Sequence, residues 1–270
     1  MSILQAIVLG IVQGITEFLP VSSSGHLIFI PKLFGWEYQG IAFDAVLHLA
    51  TLLAVVFFFR TRVRHILKAL FSRSTDIDTK LRSRFAILIA LSILPAGMIG
   101  LFFGDWLDQS ARSSQIVAFN MIGWAILLYA AEKYARKNAR TVDSYHVSTG
   151  QMTAMALIQA AALIPGTSRS GSTMTAGMFA GLTKKAAAEI SFLMSIPVIA
   201  VSGGLKFIEI FTKEQAVEVQ LFPLFIGFIA AAISGLFAIW FLMRIIEKWS
   251  FTPFVIYRIL IGILILIFLV

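Results

Sequence analysis

Thr16–Glu17–Phe18–Leu19–Pro20–Val21–Ser22–Ser23–Ser24–Gly25–His26 sets a carboxylate, three hydroxyls and an imidazole side by side, with apolar sequence on both flanks. In hydrocarbon an unsatisfied polar group costs several kcal/mol and a carboxylate at mid-depth roughly 3 kcal/mol or more, so such a cluster persists where it lines a wet cavity or holds a ligand. The alternative is an extramembrane turn in which Pro20 breaks the chain and Ser23 or Ser24 caps a helix. A second polar stretch in an equally apolar setting, Pro165–Gly166–Thr167–Ser168–Arg169–Ser170–Gly171–Ser172–Thr173, favours the buried reading.

The surrounding composition fixes the solvent. Hydrophobic residues make up 59% of the chain and charged residues 13%, with a mean hydropathy of +0.88; soluble domains carry about a quarter charged residues. The chain reads as an all-α integral membrane protein. The net charge of +8 does not point to nucleic acid, because the basic residues sit in short connections between apolar runs, as the positive cytoplasmic face of a membrane protein requires. The absence of cysteine excludes disulfides, thiolate zinc sites and cysteine nucleophiles. Met1–Val12 has no Lys or Arg, so the basic flank of a cleaved signal peptide is not expected.

Apolar runs fall at about 2–16, 24–35, 43–59, 85–104, 114–132, 150–164, 172–182, 188–206, 222–243 and 252–270. Four are too short to cross a bilayer, which takes about 20 residues. The runs 2–16 and 24–35, broken at Pro20, and 150–164 and 172–182, broken at Pro165–Gly166, read as re-entrant helix pairs. The other six read as spans. Pro20 and Pro165, Ser23 and Ser168, and Asp44 and Glu189 are each 145 residues apart. This suggests one unit used twice, a re-entrant pair followed by three transmembrane helices. Three is an odd number, so the second copy starts on the other side of the membrane and the repeat is inverted. The expectation is a single membrane domain over 1–270, with a first repeat at 1–135 and a second at 147–270.

Charge supports that topology. The connections 60–84, 133–149, 183–187 and 244–251 hold sixteen of the 22 Lys and Arg residues, Arg73 among them, whereas the opposite connections hold only Lys32, Arg112, Lys206 and Lys213. The basic face is expected inside and both termini outside. In such folds the broken helix tips meet near the midplane, where helix N-termini and freed amides hold anions.

The polar residues suggest what that anion is. Ser168, Arg169 and Ser170 at a helix start, with Thr167 and Thr173 beside them, form a site suited to phosphate or pyrophosphate. Arg169 could instead snorkel to an interface or pair with Glu17. Gln13 and Glu17 lie one helical turn apart and offer hard oxygen donors to Mg²⁺ or Ca²⁺; Glu17 could equally be a general base. His26 could donate a proton, attack, or orient a serine, and Ser23 and Ser24 are candidate nucleophiles. His48, inside a span, reads as a packing or hydrogen-bonding residue.

With these residues in view, the chain resembles the bacitracin-resistance family of undecaprenyl pyrophosphate phosphatases over nearly its whole length. The resemblance rests on Gln13-x-x-x-Glu17, on Phe18 to His26 and on Pro165 to Thr173. It implies a membrane phosphatase that removes the terminal phosphate of the C55 isoprenyl pyrophosphate carrier, recycles the monophosphate for peptidoglycan synthesis and confers bacitracin resistance. It also implies a Mg²⁺ or Ca²⁺ requirement and a multi-pass location in the bacterial inner membrane, with the site opening to the periplasmic or outer face. Partners would be the lipid substrate, membrane lipids and, in some arrangements, a second copy of the chain as a homodimer. Carried over, Glu17 is metal ligand or base, His26 acid or proton relay, Ser23 nucleophile or water positioner, and Arg169 with Ser168 the pyrophosphate clamp; Ser22, Ser24, Thr167, Ser170 and Thr173 complete the substrate site. Gln13 stands where some members have Glu, leaving one fewer negative charge. The rival reading is a prenyl-phosphate lipid flippase or secondary transporter, which would need the anion clamp but no nucleophile; a scaffolding protein would need neither.

Overall fold

A computed structural model of the chain describes residues 1–72, 74, 76–111, 113–140, 143–212 and 220–269. Arg73, Arg112 and Lys213, counted above among the connection charges, lie outside the described residues. Twelve α-helices follow one another among those described: α1 (Ile3–Phe18), α2 (Ser23–Leu33), α3 (Ile41–Phe58), α4 (Arg60–Leu70), α5 (Ile77–Leu91), α6 (Leu94–Ser110), α7 (Ser114–Asn138), α8 (Thr149–Ala161), α9 (Arg169–Phe179), α10 (Lys184–Thr212), α11 (Leu221–Ile245) and α12 (Thr252–Phe268).

Four stretches are long and apolar enough to cross a membrane: Ile77–Gly104, Ser114–Asn138, Lys184–Ile208 and Leu221–Ile245. A fifth follows if α3 and α4, which meet at 82°, count as one bent span. This is a multi-pass helical membrane protein. The first of these stretches is α5 and α6 in sequence, the second half opening on Pro95, a residue that suits the first turn of a helix. At 17 residues, α12 is about 26 Å long, a little under the hydrocarbon thickness. The connection 60–84, expected from its charges to be a loop, is largely helical, made of α4 and the start of α5.

Local sequence explains both broken helices. α1 and α8 begin with the same capping box: the Ser2 hydroxyl accepts from the Gln5 amide and the Gln5 side chain accepts from the Ser2 amide, and Ser148 and Gln151 repeat this. Such a reciprocal pair satisfies two amides that a helix start leaves without partners. α2 and α9 then begin on serines in the left-handed region, Ser22 (φ 76°) and Ser168 (φ 70°). Each turns its hydroxyl onto an amide three residues on, that of Gly25 or Gly171. A non-glycine residue there is uncommon and costs about 1–3 kcal/mol; the cap offsets part of it. At 11 residues each, α2 and α9 are about 16 Å long and too short to span.

The matched features stand 146 residues apart, not 145. Ser22, rather than Ser23, is the geometric counterpart of Ser168, and Ser23 is the counterpart of Arg169. A proline marks where a helix breaks, but the backbone at the cap sets the register.

Small residues hold α1 against α11. A Cβ on Gly14 would come within 2.4 Å of the Ala231 carbonyl oxygen, and one on Gly10 within 2.4 Å of that of Gly227. At one end of the bundle, buried Glu132 accepts from Arg136, Lys184, the Ser250 hydroxyl and the Phe251 amide, tying α7 to α10 and to the start of α12.

Candidate active site

The two interrupted helices meet. Glu17, on the last turn of α1, is buried, and its carboxylate gathers groups from both halves of the chain. Oε1 accepts from Arg169 Nη2 at 2.8 Å. Oε2 accepts from the Ser23 hydroxyl at 2.7 Å and from Gln13 Nε2 at 3.1 Å. Arg169 Nη1 donates to the Ser191 carbonyl of α10 at 3.0 Å, which fixes the guanidinium plane while leaving further N–H groups for a ligand. Opposite charges this close and this buried compensate each other's desolvation, and loss of either partner strands the other.

The remaining sequence candidates surround this centre in two roles. Ser22 and Ser168 are the strained caps, their hydroxyls close to those of Ser24 and Ser170. Ser170 also donates across the junction to the Leu19 carbonyl at 3.1 Å. Thr173 directs its hydroxyl to the Arg169 carbonyl and the Ser191 hydroxyl, each at 2.7 Å, and so supports Arg169. Thr167 is fully buried and its hydroxyl has no partner.

His26 looks elsewhere. Its Nδ1 donates to the Ser22 carbonyl, and its Nε2 meets the Tyr257 hydroxyl, both at 2.7 Å, with the two rings parallel at 5.6 Å. Both nitrogens are spent on the α2 cap and on α12.

Three residues outside the sequence-derived candidates join the centre. Arg258 of α12 is wholly buried, and its hydrogen-bond partners among the described residues are main-chain carbonyls: Pro20 at the first break (3.2 Å), Gly166 and Thr167 at the second (2.9 Å each), and Met121 (3.1 Å) and Asn120 (3.5 Å) of α7. One guanidinium thus holds both tips. It also explains one glycine, since a Cβ on Gly171 would lie 2.8 Å from Arg258 Nη1; Gly166, which has φ +88°, is required instead by the Val117 carbonyl, 2.3 Å from where its Cβ would be. Tyr257 is the partner of His26. His48 of α3 places Nε2 3.6 Å from Glu17 Oε2.

A cavity of about 210 Å³ opens beside these groups, lined among others by Ser24, Tyr38, Asp44, His48, Pro165 and Lys206. His48 is the side chain that both lines it and faces Glu17. As to a metal, no three His, Asp or Glu side chains converge among the described residues. The oxygen donors are Glu17 and Gln13, and Gln13 Oε1 is buried with no hydrogen-bond partner. An orphaned buried acceptor beside a carboxylate suits a hard divalent cation.

Fold and site define a class: a multi-pass helical membrane protein in which two half-helices bring an acid, a hydroxyl and an arginine together in its interior. The family described as "Bacitracin resistance protein BacA" matches residues 6–264. Among curated relatives, "Undecaprenyl-diphosphatase 2" of Stutzerimonas stutzeri (strain A1501) is 41% identical over 99% of this chain and 98% of its own. "Undecaprenyl-diphosphatase" of Thioalkalivibrio sulfidiphilus (strain HL-EbGR7) is 40% identical over 97% of each chain, and that of Campylobacter curvus (strain 525.92) 38% over 98% of each. The chain belongs to the BacA family.

Proposed function

We propose that this protein is an undecaprenyl-diphosphate phosphatase, which hydrolyses the terminal phosphoanhydride of a C55 isoprenyl pyrophosphate to the monophosphate and inorganic phosphate. The lipid product would re-enter peptidoglycan synthesis, and its recycling would underlie bacitracin resistance. The observation that carries this is the Ser23–Glu17–Arg169 cluster, in which nucleophile and anion clamp each lie within 2.8 Å of the one carboxylate that serves as base. A transporter needs the clamp alone.

The geometry favours Ser23 over His26 as the attacking group. The Ser23 hydroxyl already donates to Glu17, which can take its proton as Oγ bonds to the terminal phosphorus, while both nitrogens of His26 are engaged. The bridging P–O bond then breaks and the lipid monophosphate leaves. The proton on Glu17 passes to the departing monophosphate; the freed carboxylate then takes a proton from water as the water oxygen bonds to phosphorus, the Oγ–P bond breaks, and that proton returns to Oγ as inorganic phosphate is released. Arg169 and the amide ends of α2 and α9 face the charge that builds on the transferring group. Ser24 lines the cavity through which the head group would enter. Ser22, Ser168, Ser170 and Thr173 would act mainly by holding the two half-helices, and His26 with Tyr257 would position the first cap or relay a proton to the leaving oxygen. A divalent cation, Mg²⁺ or Ca²⁺, would be held by Glu17 and Gln13 and would neutralise phosphate charge when bound.

The finer topology belongs to the same proposal: six spans and two re-entrant pairs, arranged as inverted repeats over 1–135 and 147–270. The paired capping boxes and paired left-handed serines support it. The concentration of Lys and Arg in alternate connections supports a basic face inside and a site opening outward from the bacterial inner membrane.

The test is phosphate release from a prenyl pyrophosphate by purified protein in detergent, with no gradient. Turnover is expected, and its loss in Ser23→Ala and Glu17→Gln. Binding without hydrolysis would favour a flippase or transporter.

A further inference from the structure

His48 contacts the one carboxylate on which the centre is built, yet the mechanism above gives it no part. Its Nδ1 lies 2.7 Å from the main-chain carbonyl of Asp44. A carbonyl only accepts, so Nδ1 carries the hydrogen, and in the neutral ring the lone pair is on Nε2. That atom stands 3.6 Å from Glu17 Oε2. Held this way, the ring turns the lone pair of Nε2 towards the carboxylate, the orientation a metal-binding imidazole takes.

The carboxylate itself has no shortage of donors. Arg169, Ser23 and Gln13 already serve it. Gln13 has the opposite problem, since its Oε1 is fully buried and has no donor. Turning that amide over would bring Oε1 towards Glu17 Oε2, where two oxygens repel unless a cation accepts both. A cation would therefore satisfy three facing acceptors together: the Glu17 carboxylate, the Gln13 amide oxygen and the His48 imidazole. The spacing agrees. Neighbouring ligand atoms on an octahedral Mg²⁺ lie about 3.0 Å apart, and on Ca²⁺ about 3.4 Å, from metal–oxygen distances of roughly 2.1 and 2.4 Å.

We infer that His48 Nε2 is a direct ligand of the divalent cation, cis to Glu17 and facing the cavity. The inference rests on the reading that a divalent cation serves this site and adds a nitrogen donor from α3 to the oxygen pair on α1. Two consequences follow. The cluster carries no net negative charge, because Glu17 is matched by Arg169, so the cation binds firmly only together with a pyrophosphate. A nitrogen donor also raises the seat's relative affinity for first-row ions such as Mn²⁺ over Ca²⁺.

The experiment uses purified full-length protein with Mn²⁺ and methylenediphosphonate, a pyrophosphate stand-in that cannot be hydrolysed, read by pulsed electron paramagnetic resonance. Expected is a ¹⁴N modulation from a directly bound imidazole, absent in His48→Gln but kept in His26→Gln. Mn²⁺ affinity in His48→Gln should fall at least about tenfold, since even outer-sphere partners of metal ligands are worth that much. Bound Mn²⁺ without ¹⁴N coupling in the unsubstituted protein, or coupling that survives in His48→Gln, overturns the inference and leaves the cation in place on oxygen alone. No Mn²⁺ retained in the presence of the diphosphonate overturns the cation reading itself, and His48 with it.

Discussion

Substituting Arg258 tests whether one buried guanidinium sets the distance between the two half-helices. Arg258→Leu would leave the carbonyls of Pro20, Gly166, Thr167 and Met121 without these donors, at about 1–3 kcal/mol for each acceptor that water cannot reach. Against this stands the relief of a desolvated charge with no acid among its hydrogen-bond partners, worth several kcal/mol. The balance is a net loss of a few kcal/mol, the carbonyls left without donors at about 1–3 kcal/mol each less the relief of the buried charge, or on the order of 10 °C in unfolding midpoint. Arg258→Lys keeps the charge, but one ammonium cannot reproduce a planar fork reaching five carbonyls on three elements, so an intermediate loss of about 1–3 kcal/mol is expected. The effect on turnover should be larger than the effect on stability. The guanidinium joins the breaks that carry Glu17 with Ser23 and Arg169, and a misplacement near 1 Å can cost about a hundredfold in rate. The assay pairs thermal unfolding in detergent with kcat for phosphate release. A folded Arg258→Lys with kcat down at least about tenfold is the expected result. Wild-type unfolding and wild-type kcat in both variants would show that the tips are held by something else.

Three further outcomes follow from the same geometry. Arg169→Lys should keep the charge near Glu17 but lose the two-sided grip on Glu17 and the Ser191 carbonyl, so phosphate release should fall by about 10²-fold or more; activity near wild type would remove the planar clamp from the mechanism. Excess EDTA should stop hydrolysis and added Mg²⁺ or Ca²⁺ restore it, whereas full activity in the chelator would argue for a metal-free reaction. Gly14→Ala should destabilise by about 1–3 kcal/mol through overpacking, because its Cβ would lie 2.0 Å from the Ser234 hydroxyl and 2.4 Å from the Ala231 carbonyl; an unchanged midpoint would mean that α1 and α11 can separate at no cost.

The parts of the molecule legible in the sequence are those that chemistry forces into short segments. Glu17, Ser23 and Arg169 are polar groups in apolar surroundings, and the expense of such groups in a bilayer marked them as meeting partners before any geometry was known. The register between the halves was harder to read. Pro20 and Pro165 suggest 145, but the strained caps Ser22 and Ser168 align at 146, because serine with positive φ has no signature that distinguishes it from its neighbours in Ser22–Ser23–Ser24. His48 was visible only as one polar residue in a span, and nothing local says that a side chain on α3 faces α1. Arg258 is the instructive omission. The 22 basic residues divide into sixteen in one set of alternate connections, four in the other, Arg169 in the second break, and this one in the middle of an apolar helix. An ionisable residue at that depth is by default a functional hypothesis, so the signal was present. Its partners were not, because they are five main-chain carbonyls, which every residue possesses and no sequence pattern reveals. The junction of the two half-helices is thus tied by a guanidinium bonded to main-chain carbonyls, and the residue that joins the breaks is the one whose neighbours carry no side-chain chemistry to predict it.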